Sequence, residues 1–431
     1  MKLAQIDIKN FRCFQSLSIP FHPDVNVLVG ANGAGKTAVL DAVAISLGNI
    51  MPIGRYDPLR PSDIPVASDI DHAEVDREHL IAVYSVATDS SLDGPLSWHA
   101  EYTLSGHSKK VSGSHVSVRH PPGFPMEIES FVPVVAYYRS SRNLSGMPEM
   151  GDIFKQTLDW HSAYENILDA GANYQAMCQW FYLRENQELR ERQYQNHDRE
   201  FAFPDLKTVR QALCTMLENV ESIFFDGAPP TLKVAWAEGG NPPKILSLEQ
   251  LSDGYRNLLA LVLDFARRLA LANPDWQNPL EAPGILVIDE LELHLHPKWQ
   301  QRVIPDLRKV FPNTQLIVTT HSPQILSTVR REHILLLGAD HQFESIPEDV
   351  GTYGAENSRV LAEVFGTHTR PQGLESVQAL RDYLALVEAG QHESEQARIL
   401  KTQLESALGS SDPDLRRADL RVRQLNVLRQ P

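Results

Sequence analysis

Hydrophobic positions along this chain recur with two spacings, and the switches between them mark out its elements. Over residues 2–10 apolar and polar side chains alternate, with Leu3, Ile6 and Ile8 on one side, which predicts a half-buried strand. Residues 11–14 and 17–19 extend this into a small β-layer, and the continuous apolar run 25–29 predicts a strand buried on both faces. Residues 38–47 read as a helix that stops at Gly48. Residues 79–87 and 97–104 look like antiparallel strands joined by a polar turn, and 131–136 is a buried-type strand. From 153 to about 218 the spacing changes to three and four, with Trp160, Tyr164 and Leu168 followed by Met177, Trp180 and Phe181. That stretch predicts a helical insertion, and its mixed-charge run 183–200 reads either as a solvated arm or as a contact to DNA or a partner, the solvated face being the commoner case. Strands are expected again at 230–236, 284–288, 315–319 and 333–337, with helices over 258–271 and 298–311.

The tail is different in kind. A short helix is expected to end at Phe365, and narrow apolar stripes then mark three more. The first stripe is Val377, Leu380, Leu384 and Val387, and the second is Leu400, Leu404 and Leu408. The third helix starts from the cap pair Asp412 and Pro413 and runs to Leu428. Such helices suit a docking bundle rather than a catalytic domain.

Composition narrows the partners. Lys+Arg 40 against Asp+Glu 55 leaves a net charge of −15, so the surface as a whole repels nucleic acid and acidic membranes. Any DNA contact must then be a local basic patch; Lys109, Lys110, Arg119 and His120 flank one loop that offers either such a patch or a solvated edge. The three cysteines, Cys13, Cys178 and Cys214, are far apart and lack metal spacing, as in a reducing compartment. With no apolar leader-like run and no stretch near 18 apolar residues, a cytoplasmic, non-spanning protein is expected.

Five segments carry candidate chemistry. Gly30 to Thr37 fits G-x-x-x-x-G-K-[ST] directly after a strand, the pattern of a P-loop whose backbone N–H groups cradle a triphosphate at a helix N-terminus. Gly30, Asn32, Gly33, Ala34, Gly35 and Ala38 would line ATP, Lys36 would reach the β/γ-phosphates, and Thr37 would ligate Mg2+. Residues 284–290 form an apolar strand ending in Asp289 and Glu290, as a Walker B strand does. Asp289 suits Mg2+, which takes one or two carboxylates and keeps its waters, and Glu290 would orient or deprotonate the attacking water. Ser252 and Gly254 stand at the start of a helix, a geometry that serves either a phosphate or a plain N-cap. Finally, His321 lies at the end of the strand 315–319, and Tyr137 to Arg142 places two aromatics and two arginines at another strand's end, where α/β ligand sites occur.

These motifs in this order resemble the RecF/SMC-like ABC ATPases, whose opening strand ends in N-F-[RK]-x-[FY], here Asn10 to Phe14. Arg12 and Phe14 fit two places, beside the adenine or ribose, or in the plain core and rim. Leu251-Ser-Asp-Gly254 with Arg256 resembles the L-S-D-G-x-R form of the ABC signature. The resemblance implies that Ser252 and Gly254 serve the partner subunit's ATP, hence a head-to-head dimer with two composite sites. It also implies that His321 bonds the γ-phosphate and that Arg142 makes a phosphate or Mg2+-water contact. Glu290 to Pro297 looks like the E-x-E-x-x-L-H-P run of the OLD/RecF branch, within which His294 and His296 are structural or dimer-contact residues. The tail lacks the grouped acids of a TOPRIM nuclease domain.

The Thr352-Tyr-Gly354, Val364-Phe-Gly366 and Arg370-Pro371 sequence, followed by D-P-x-L at Asp412, is similar to the ATPases of Septu and retron-associated anti-phage systems. That likeness implies an ATPase working with a separate HNH nuclease on invading DNA; a RecF-like DNA-repair clamp without a nuclease is the alternative. The expected fold is an α/β ABC-type P-loop ATPase head with a helical insertion and a C-terminal helical bundle. Its parts would be an N-terminal lobe at 1–150, the insertion at 151–225, a second lobe at 226–340 and a partner-docking appendage at 341–431.

Overall fold

The structure is a computed structural model, and it describes residues 1–49, 80–88, 95–104, 111–119, 133–140, 160–167, 174–194, 200–227, 230–237 and 242–428. The chain divides into two compact units, Met1–Asn357 and Ser358–Pro431. In the first unit β1 (Lys2–Phe11), β2 (Phe14–Pro20) and β3 (Val25–Gly30) precede α1 (Lys36–Gly48). Then come β4 (Leu80–Thr88), β5 (Leu96–Leu104), β6 (Val111–Arg119) and β7 (Val134–Tyr138). Helices α2 (Tyr174–Tyr194) and α3 (Pro204–Met216) lead to β8 (Val220–Asp226), β9 (Thr231–Trp236), β10 (Lys244–Ser247) and α4 (Asp253–Ala272). The unit closes with β11 (Gly284–Ile288), α5 (Pro297–Gln300), α6 (Val303–Val310), β12 (Thr314–Thr319), α7 (Pro323–Leu326), β13 (Ile334–Leu337) and β14 (Phe343–Ser345).

The central sheet runs β14-β13-β3-β12-β11-β7, and every pairing within it is parallel except that of β13 with β14. Strands β3, β11 and β12 are buried along their whole length, which is why each reads as an unbroken apolar run. A second sheet, β2-β1-β4-β5-β6, is antiparallel. Helix α1 lies between the two, against β1 and β4 on one side and β3, β11 and β12 on the other. Sandwiched in this way, it needs apolar residues all round, and positions 38–48 are all buried.

Several elements differ from the periodicity. The single helix expected over 298–311 is two, α5 and α6, because Pro305 has no N–H to return to the Gln301 carbonyl and its ring crowds that group. The segment between Lys110 and His120 is a strand, β6, paired with β5, rather than a loop; Lys109, Lys110 and His120 themselves lie outside the described residues. The mixed-charge helix α2 is docked along one face and exposed along the other, where Gln187, Arg190 and Gln193 lie. Glu185 and Glu188 are buried, and Arg210 of α3 donates to both at 2.8 and 2.7 Å. The fully paired charges satisfy burial that a charge count along the sequence cannot reveal.

The second unit holds α8 (Asn357–Glu363), α9 (Glu375–Glu388), α10 (Glu395–Leu408) and α11 (Pro413–Leu428). Leu380, Tyr383, Val387, Ala397, Leu404, Leu415 and Ala418 form its core. Arg370 binds Asp412 at 2.8 Å and Asp414 at 2.7 Å, so the Arg-Pro and Asp-Pro motifs of the tail are one clasp. Among the described residues no helix is long and apolar enough to cross a membrane.

Candidate nucleotide site

The parallel sheet brings three strand ends to one edge. Because β12 pairs with β3 on one side and β11 on the other, the segments after Gly30, Ile288 and Thr319 emerge together. The first is the glycine loop. Gly30 has φ +157°, and a Cβ there would lie 2.6 Å from the Leu337 carbonyl oxygen. Gly35 has φ +99°, and a Cβ would overlap the Phe14 ring and sit 2.7 Å from Cys13 Sγ. Gly33 also has a positive φ, +83°, but open space around it. The loop is therefore glycine-bound by torsion throughout and by crowding at its two ends.

Lys36 Nζ donates to the carbonyls of Gly30 and Ala31, both at 3.0 Å, and so lies across the mouth of the loop. Burial pulls its pKa down, while the carboxylates of Asp289, Glu290 and Glu292 oppose that shift. Asn32 and Thr37 are exposed, whereas Ala34 and Ala38 are buried beneath the loop. Thr37 Oγ1 lies 3.2 Å from Asp289 Oδ2. A hydroxyl and a carboxylate facing each other beside a loop of positive-φ glycines are hard oxygen donors, a set that fits Mg2+ and a triphosphate.

The second and third segments are stitched together by side chains. Thr319 Oγ1 donates to Asp289 Oδ1 at 2.6 Å and accepts from the Glu290 N–H at 2.7 Å. Asp289 N–H donates to the Tyr138 carbonyl at 2.9 Å, tying it to β7 as well. Glu290 has φ +48°, a conformation uncommon for a residue with a side chain, and it turns the chain out of the strand there. Glu292 accepts from Thr320 Oγ1 at 2.7 Å and from the His321 N–H at 2.6 Å. The imidazole of His321 is exposed at this edge.

Arg12 and Phe14 both make packing contacts here. Phe14 is buried under Gly35, and Arg12, with Arg139 at 3.3 Å, pairs with Asp41 on α1. Asp41 is the one acid of that apolar helix, one turn beyond Thr37, and its lone position was the available signal for this contact. Tyr137 OH is buried, and its pKa is raised by burial first and then by the charges of Asp41 and Asp289. Arg142 lies outside the described residues.

Ser252 is the N-cap residue of α4, is exposed, and makes no side-chain cap bond. Gly254 is buried, and a Cβ there would overlap the His294 carbonyl. The start of α4 is thus seated directly on the segment that follows Glu290. Deeper along α4, burial would raise Asp264, but Arg268 and Arg267 outweigh it and hold the carboxyl low. Tyr138 OH donates to Asp264 at 2.8 Å. His341 was not marked by any motif, yet its Nδ1 lies 3.2 Å from the Ala34 carbonyl.

Two family profiles match: "AAA domain, putative AbiEii toxin, Type IV TA system" over residues 164–327, and "AAA ATPase domain" over residues 1–78. Among curated proteins, the chain is 28% identical to the retron Ec83 probable ATPase of Escherichia coli, over 96% of this chain and 85% of that protein. It is 35% identical to the retron Vc95 probable ATPase of Vibrio cholerae serotype O1 biovar El Tor, over 48% of this chain and 40% of that one. A shorter stretch, 18% of this chain and 10% of the relative, is 42% identical to the Septu protein PtuA of Bacillus mycoides (strain KBAB4). The chain is thus an ATPase with an α/β head, matched in part by two AAA models and homologous to retron ATPases and to Septu PtuA.

Proposed function

We propose that the chain is the ATP-binding and ATP-hydrolysing subunit of an anti-phage defence complex, in which its nucleotide state controls a separate HNH-type nuclease acting on DNA. The observation that carries this reading is the convergence of Lys36, Thr37, Asp289 and the His321 loop at one sheet edge, together with the uncommitted Ser252 hydroxyl at the head of α4. Similarity to retron and Septu proteins supports the defence role and the separate nuclease. The acidic surface, with its net charge of −15, favours DNA contact through the complex over binding by this chain alone.

In this reading Gly30 to Ala38 cradle ATP, Lys36 moves from the loop carbonyls to the phosphates, and Thr37 with Asp289 holds Mg2+. The metal, when bound, offsets charge on the phosphoryl oxygens. Glu290 orients the attacking water or takes its proton on the carboxylate, and His321 donates toward the γ-phosphate. Arg142 adds a phosphate or Mg2+-water contact. Two copies meet head to head, so that Ser252 and the Gly254 N–H of one complete the site of the other.

The Glu290→Gln variant tests the chemistry and the assembly together. Phosphate release should fall on the order of 10²- to 10⁴-fold, and light scattering in ATP should show the doubled mass accumulating. ATP binding without any change of mass would remove the head-to-head dimer. If no nuclease co-purifies with the chain and the pure protein binds duplex DNA tightly in ATP, a DNA-repair clamp replaces the defence reading.

A further inference from the structure

We propose that Glu292 is a positioning residue for His321, holding the γ-phosphate-facing loop in register with the segment that follows the Walker B strand. This rests on the ATPase reading above and deepens it. Glu292 is the second acid of the E-x-E run and is not itself a residue of the P-loop, the metal donor pair or the signature. Its two carboxylate oxygens go to one place. Oε1 accepts from the His321 N–H at 2.6 Å, and Oε2 accepts from Thr320 Oγ1 at 2.7 Å.

The loop it grips is built round that hydroxyl. Thr320 is fully buried, and its Oγ1 also accepts from the Ser322 N–H at 3.0 Å. Ser322 Oγ in turn donates to Gln300 at 2.7 Å. The backbone on both sides of His321 is therefore tied down while the imidazole stays exposed. A histidine left to side-chain rotation alone would lose orientation that a backbone clamp preserves, and small misplacements of a donor are costly in rate.

The other side of Glu292 leads to the signature. Its carbonyl accepts from the Leu295 N–H at 2.8 Å, which closes the turn through His294. The His294 carbonyl is the group on which Gly254 rests. A displacement of the α4 start by a second copy would therefore reach His321 of the same chain through one short turn and one carboxylate.

The charge of Glu292 also falls on Lys36, so its loss has a distinctive signature. Glu292→Ala should lower kcat on the order of 10²-fold, the range for removal of one well-placed donor. ATP affinity, read by fluorescent-nucleotide titration, should stay unchanged or tighten, since a carboxylate near the triphosphate has gone. Glu292→Gln retains an acceptor oxygen and should recover part of kcat.

The decisive measurement is the double-mutant cycle with His321→Ala. The Glu292→Ala/His321→Ala double variant should be no slower than His321→Ala alone. Additive losses, or ATP affinity falling in step with kcat, would overturn the proposal. If His321→Ala leaves the rate unchanged, it is the role of His321 in the ATPase reading that fails, and the cycle separates the two failures.

Discussion

From Gly30 to Thr37 the chain is shaped by backbone torsion and close approach, whereas from Asp289 to Leu295 it is shaped by side-chain hydrogen bonds to the neighbouring strand end. In the first region Gly30 and Gly35 admit no Cβ, and the walls are the Leu337 carbonyl and the buried Phe14. In the second region Thr319, Thr320 and Glu292 supply the partners, and a residue with a side chain, Glu290, adopts the positive φ. A steric frame fails when an atom is added, and a polar frame fails when one is removed. The same pocket thus has two opposite sensitivities, and substitutions can tell them apart.

The largest effect is expected at Gly35. Gly35→Ala combines left-handed strain with overlap on a Phe14 that has nowhere to go, a loss of about 2 to 6 kcal/mol by urea unfolding. Gly33→Ala carries the torsional penalty without the clash, so about 1 kcal/mol is expected. Equal losses at the two positions would show that torsion alone shapes the loop.

Thr319→Val comes next, since it keeps the shape and removes the hydroxyl. Asp289 and the Glu290 N–H each lose that partner, which should cost about 1 to 3 kcal/mol in thermal unfolding and lower ATP hydrolysis. Thr319→Ser should restore most of both. If valine is tolerated, hydrogen bonding is not what holds this half.

The smallest effect lies at the opposite edge of the sheet and serves as the control. His333 stacks edge-on against His22 with ring centroids 4.3 Å apart, and its Nδ1 lies 3.1 Å from the Val25 carbonyl. Burial first, and then His22, lowers its pKa below the ordinary 6.5. The folded state then binds fewer protons than the unfolded one in mild acid, so this contribution is present above pH 6.5 and is lost as pH falls below it. The midpoint of unfolding should fall over that range in the parent and less steeply in His333→Gln. Nucleotide affinity at fixed pH should be the same in both, because neither half of the site touches this pair.

What was legible in the sequence divides along the same line as the site. The glycine loop, the β11 acids and the buried strands are local, since each is written in consecutive residues whose torsions or solvation demand them. Phe14 had two readings because its neighbour Gly35 is distant in sequence. The docked face of α2 is hidden for a similar reason: Glu185 and Glu188 look solvated until Arg210, on another helix, is seen beside them. Pro305 did break its helix, and there the signal was present in the chain.

By itself, the sequence determined a P-loop after a buried strand, two acids at the end of another, and an apolar helix behind the loop, because short-range torsion and hydrophobic run length specify those. Tertiary structure alone decided that Thr319 braces Asp289, that Asp41 draws in Arg12 and Arg139, and that Glu292 clamps the His321 loop. A hydrogen bond needs two groups within about 3 Å, and pairing across a parallel sheet joins residues whose separation along the chain carries no trace of that distance.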